Sequence, residues 1–231
     1  MVERVLVTTF GTLLSSPIPF LCITAIFELP LFAMRFVHLP SRSSIPMKLA
    51  LVALFIVPSL IMRLLSEGPM CFAVSDRLRG RRVELRRCLQ PGTRRFWTTC
   101  ATSTVLALAI TGGMSLLFFP GLYIWTVFAV AVPATVTEGT GVVAGLGRSW
   151  KLSRGHRRSI FLTLISIAGP LALLTYALRF ALRGSRFFGP IGVGWELLAA
   201  VIHEVVPCVI YFQLRESEEG IDPIRAAAVF D

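Results

Sequence analysis

The chain has 231 residues, 55% of them hydrophobic and 16% charged, with a mean hydropathy of +0.73. A soluble domain carries about a quarter charged residues, so a water-soluble globule is excluded. Repeated apolar runs of about 18 to 25 residues, long enough to cross a hydrocarbon layer of roughly 30 Å, point instead to a polytopic membrane protein. The net charge of +10 is mostly arginine. Without an aromatic-interleaved basic surface or a binding motif, it argues for cytoplasmic loops and against nucleic acid as a partner.

Residues 1–16 place Val5, Thr9 and Thr12 or Leu13 on one helical face beside Leu6 and Phe10, the pattern of a short helix lying at the membrane interface. Pro17 and Pro19 then break or kink the chain. The first 40 residues are therefore either one full span or an interfacial helix followed by a broken span. The first span is expected over 18–37, with Glu28 and Pro30 near its centre. A turn-rich loop, Leu39 to Pro46, leads to a second span over 47–73, which holds Pro58 and the pair Arg63 and Glu67, one helical turn apart. A basic elbow with eight arginines follows over 76–95, including Arg94 and Arg95.

The third span, 98–119, has no charge. Pro120-Gly121 reads as a tight turn, and a shorter fourth span returns over 122–136. A polar elbow over 138–158 leads to a fifth span over 160–178, interrupted by Gly169-Pro170. Arg179, Arg183, Arg186 and a Gly/Pro-rich segment up to Trp195 read as a loop. The sixth span covers 195–214, and a charged tail follows. The whole is one integral membrane domain, 1–231. Gly92-Thr93-Arg94-Arg95 and Gly155-His156-Arg157-Arg158 lie 63 residues apart, each just before a span. They fit either a tandem repeat of span, elbow and span or a chance recurrence in an arginine-rich chain.

Six spans put both termini on one side. With that side cytoplasmic, 16 cations lie inside (Arg4, the two elbows, Arg215 and Arg225) and 6 outside, the distribution expected of a protein with both termini in the cytoplasm. No removable signal peptide is expected, since no small-residue cleavage site follows the first apolar run. The five cysteines form no CxxC pair and no metal-ligand spacing, so no disulfide framework or metal centre is expected.

Catalytic motifs are not found. His203-Glu204-Val205-Val206-Pro207 begins like a zinc-protease motif, but Pro207 stands where the second imidazole is needed. Gly139 and Gly141 are followed by no Lys-Ser/Thr and preceded by no strand, which removes a phosphate-cradling loop. The chain therefore reads as non-enzymatic and without a cofactor. Ionisable residues in or near spans, namely Glu28, Arg63, Glu67, Glu138, His203 and Glu204, cost several kcal/mol unless paired or facing water. They are candidates for an intramembrane polar site, with pairing within the bundle as the plain alternative. In the elbows, Arg94, Arg95, Arg148, Trp150, Lys151, Arg154, His156, Arg157 and Arg158 are candidates for contact with anionic lipid headgroups or a membrane-protein partner. A homo-oligomer is a further possible partner arrangement.

The residues Phe119-Pro120-Gly121-Leu122-Tyr123, Pro133-Ala134, Glu138-Gly139 and Arg148-Ser149-Trp150-x-Leu152-x-Arg154-Gly155 carry a resemblance. With Tyr211 to Glu216 and Glu219-Gly220, they resemble the glycerophosphoryl diester phosphodiesterase membrane-domain family and its bacterial membrane relatives, from about Phe118 to Gly220. The resemblance implies a six-span helical module in a bacterial cytoplasmic membrane. A phosphodiesterase barrel needs about 250 residues and 17 follow Leu214, so no barrel is expected here and no hydrolytic residue is carried over. The expectation is an all-α, polytopic protein of about six transmembrane helices with basic interfacial elbow helices. Its role is that of a module engaging lipid or a partner protein, or alternatively that of a small transporter with a polar site in the helix bundle.

Overall fold

The computed structural model describes residues 1–34, 66–183 and 188–220. Most of the expected second span, the loop 39–46, Arg63 and the end of the tail lie outside these. All regular structure among the described residues is helical: α1 (Val2–Ser15), α2 (Pro17–Met34), α3 (66–78), α4 (Leu85–Arg94), α5 (Phe96–Leu116), α6 (Phe118–Val127), α7 (Ala131–Glu138), α8 (Val142–Ser153), α9 (Arg157–Ala181) and α10 (Phe188–Glu219). Four segments are long and apolar enough to cross a membrane: α5, Phe118–Glu138 (α6 with α7), α9, and Ile191–Glu219 of α10. A fifth is reached if α1 and Pro17–Glu28, bent by 88°, count as one. The class is thus a helical membrane protein, with four to five candidate spans among the described residues against the six expected.

The 88° bend at Ser16 separates α1 from the helix that follows, in keeping with an interfacial helix before a span. α1 buries Val5, Thr9 and Thr12 and turns Val7, Phe10 and Leu14 outward. Thr12 donates its hydroxyl to the Thr8 carbonyl at 2.6 Å, so a hydroxyl facing the bundle needs no outside partner.

α10 is the central helix. Of its spanning window 61% is buried, against 17% for α5 and for α9, whose Leu108, Leu116, Leu173 and Phe180 face outward toward lipid. Val5 of α1, Phe20 and Ile23 of α2, Met70 and Val74 of α3 and Ile160 of α9 close on Val205, Val209, Ile210 and Tyr211 of α10. Apolar packing of this kind, with hydroxyls bonded within their own helices, is how a bundle holds together without a hydrophobic drive from water. Thr126, Thr135, Thr137, Thr163 and Thr175 all donate to carbonyls four residues back.

Several expected breaks are helix starts. Pro120-Gly121 does not form a turn: Leu117, at φ −155° and ψ 129°, makes the reversal, and Pro120 is the third residue of α6. Pro133 holds the same position in α7, and Pro190 the same in α10, which begins inside the expected loop. The first amides of a helix have no carbonyl partner, so proline loses nothing there. Gly121 serves the α5–α6 hairpin instead. A Cβ on it would stand 2.5 Å from the Met114 nitrogen, and one on Gly113 would stand 2.9 Å from the Gly121 Cα. At its other end α10 runs five residues past Leu214, because Arg215 and Glu219 pair along it at 2.9 Å.

The fourth span is broken at residues 128–130. Ser149 of α8 donates to the Val127 carbonyl at 2.9 Å and so satisfies an acceptor the break sets free. Gly145 allows this approach, since a Cβ there would meet the Thr135 hydroxyl at 1.9 Å. Each basic elbow contains one short helix, α4 or α8, leading into a span.

Candidate functional site: an intramembrane cavity and a basic corner

A cavity of about 260 Å³ lies between α3, α5, α6, α7, α9 and α10. Leu106 and Ile110, Trp125, Leu164 and Ile167, and Val206 form apolar walls. The polar wall is Glu67 and Cys71 of α3, Ser103 of α5, and His203, Glu204 and Cys208 of α10. Pro133 and Pro207 also line it. Pro207 supplies no amide to the His203 carbonyl four residues back, so the α10 ladder is interrupted beside the cavity.

The carboxylates here are held by hydroxyls. Glu204, 9% exposed, accepts from Thr24 at 3.2 Å and from Ser66. Glu67 accepts from Ser103 at 2.5 Å. Glu28 is buried one turn beyond Thr24 on α2. Donated hydroxyls offset part of the cost of holding carboxyl groups away from water. The sulfurs of Cys71 and Cys208 meet at 2.7 Å, joining α3 to α10.

At the far end of α10 a second network ties three helices. Arg148 of α8 bonds Glu138 of α7 at 2.7 Å and also Glu219 of α10. Tyr211 donates to Glu138 at 2.9 Å. Burial works against the Arg148 charge, but hydrogen bonds to Glu219 and Glu138 outweigh it and raise its pKa above the usual guanidinium range. Nearby, Arg95 donates to the carbonyls of Val136 and Thr137, at 2.5 and 3.4 Å, and closes the C-terminus of α7.

The structure thus divides the expected basic contacts. Arg95 and Arg148 hold the fold together, and His156 pairs with Glu218 at 3.3 Å. Arg157 stacks on Trp150, while Lys151, Arg154 and Arg158 are exposed. Arg94 closes α4. Of the expected intramembrane residues, Glu67, His203 and Glu204 share the cavity wall, Glu28 lies near Glu204's partner Thr24, and Glu138 belongs to the Arg148 network instead. Sequence reasoning missed Thr24, Ser66, Ser103 and Trp125. Hydroxyls in apolar runs give no spacing signal, and these three come from three separate helices. Among the described residues, no group of three or more His, Cys, Asp or Glu is arranged to hold a metal.

No family model matches the chain, and neither the curated proteins nor the solved structures compared with it give a match.

Proposed function

We propose that this chain is a non-enzymatic membrane protein that takes a small, largely apolar molecule with a polar end group into the cavity beside Glu204, as a small permease does. One observation carries the reading: a void of about 260 Å³ joins apolar walls to Glu67, His203 and Glu204 at the depth of the spanning helices. Ligand sites are of this kind, apolar with a few convergent polar groups. The prolines beside the cavity support it too, since interrupted helices line many transporter sites.

The test is to purify the chain in mild detergent and identify co-purifying small molecules by mass spectrometry, for wild type, for Ala107→Trp on the α5 wall of the cavity, and for His203→Ala. The expected result is an apolar species present with wild type, absent when Trp fills the cavity and depleted by the histidine change. An unchanged set of molecules in folded Ala107→Trp protein overturns the reading.

A second reading, a module engaging anionic lipid or a partner protein through its elbows, is favoured by the exposed Lys151, Arg154 and Arg158. For location we propose a bacterial cytoplasmic membrane with both termini inside, supported by the 16 to 6 cation distribution. The likeness of Phe118 to Gly220 to the phosphodiesterase membrane-domain family supports the same setting. A C-terminal reporter active only on the outer side overturns that orientation.

A further inference from the structure

We propose that the corner between α8 and α9 is a binding site for a phosphate-bearing anion, held by Arg154, Arg157 and Arg158 over the ring of Trp150. The proposal is independent of the cavity. It begins from the way the structure sorts its cations. Arg148 and Arg215 are matched to carboxylates, and Arg95 is spent on main-chain carbonyls. Among the described residues, Arg154, Arg157 and Arg158 have no carboxylate within ion-pair distance. Together with Trp150 and Gly155 they line one recess of about 440 Å³.

Arg157 is fixed without being neutralised. Its guanidinium carbon lies 4.5 Å from the Trp150 ring centre and 5.4 Å from that of Tyr123, and it bonds the Tyr123 hydroxyl. Aromatic faces orient a guanidinium and leave its full charge and edge donors for an anion. Arg154 and Arg158 stand on either side of Gly155, which takes a φ of +91° and has open space where a Cβ would be. Glu218 lies 3.3 Å from the His156 ring nitrogen rather than against these arginines.

Guanidinium groups in a cluster recognise phosphate through paired, charge-assisted hydrogen bonds. The recess sits at the N-terminal end of the candidate span Arg157–Ala181, the end of a helix where lipid headgroups would be met. The phosphate therefore comes either from an anionic lipid headgroup or from a soluble phosphate.

The probes are short-chain phosphatidylglycerol, short-chain phosphatidylcholine and inorganic phosphate, each titrated into full-length protein in neutral detergent and read by intrinsic tryptophan fluorescence and thermal stabilisation. Variants are Arg154→Gln with Arg158→Gln, and Arg183→Gln at an exposed arginine at the other end of α9. Saturable binding of phosphatidylglycerol or phosphate is expected, weakened about thirtyfold in the double variant and unchanged in Arg183→Gln. Competition by inorganic phosphate identifies a soluble source, and binding of phosphatidylglycerol alone identifies the lipid. Equal affinity for wild type and a double variant of unchanged thermal stability overturns the site, as do equal binding of phosphatidylcholine and failure of both anions to bind. Should the double variant prove unstable, Arg157→Lys keeps the charge and loses the planar fork; undiminished anion affinity in that variant also overturns it.

Discussion

The guanidinium of Arg95 occupies the space beside Gly139 that a side chain there would fill. A Cβ on Gly139 would lie 2.5 Å from Arg95 Nη2, and Gly139 itself takes a φ of +66°. One glycine thus both ends α7 in the left-handed conformation and admits the arginine that closes it. Gly139→Ala combines backbone strain with displacement of Arg95, a loss of about 2 kcal/mol. Thermal unfolding in detergent measures this. In an Arg95→Met background the cost of the same change is expected to fall to about 1 kcal/mol, because only the backbone strain is left.

The α5–α6 hairpin gives a contrast between two glycines. Gly121→Ala drives a methyl into the Met114 backbone and is expected to destabilise by about 2 kcal/mol. Gly112, mid-helix with nothing within 4 Å of its would-be Cβ, is expected to gain up to about 1 kcal/mol as alanine. Equal effects of the two would contradict the close approach at Gly121.

Arg148 sits between two carboxylates, with 25% of its side chain exposed. Arg148→Met leaves Glu138 and Glu219 facing one another and is expected to lower stability by about 2 kcal/mol. Arg148→Lys recovers only part, since one ammonium cannot present two fixed donor edges. Adding Glu138→Gln to Arg148→Met removes the repulsion, leaves the Arg215–Glu219 pair in place, and should raise the melting temperature above that of Arg148→Met alone.

Cys88 in the first elbow is buried, and that burial, followed by the charges of Asp76 and Glu84, pushes its thiol up to about 12. An ordinary thiol near 8.5 is a substantial fraction thiolate at pH 8, whereas one near 12 is about 0.01% thiolate. A variant keeping only Cys88 should react with maleimide at pH 8 at least a hundredfold more slowly folded than after unfolding in dodecyl sulfate. Equal rates would place Cys88 in solvent.

The general class was legible from hydropathy, because a 30 Å apolar layer demands runs that no other environment does. Both elbows were legible from arginine density. The boundaries were not. Pro120 read as a turn and Pro190 as part of a loop, yet each is the third residue of a helix, as Pro133 also is, where an absent amide costs nothing. The role of each arginine was also hidden. Arg95 and Arg148 differ from Arg154 and Arg158 only in what folding brings beside them, a carbonyl pair and two carboxylates lying 10 to 71 residues away in sequence. The cavity was half visible. His203 and Glu204 stood out as ionisable groups in an apolar run, but the hydroxyls that hold Glu204 come from residues 138 and 180 positions earlier.

At about 1.5 Å per residue the 32-residue α10 is about 48 Å long. Pro207 gives this rod its weakest point beside the cavity, with one arm ending at Glu219 and gripped by Arg148. A rod with one clamped end and a soft joint acts as a lever. A molecule wedged between Trp125 and Val206 would press on that joint, about 20 Å along the rod from the Arg148–Glu219 clamp.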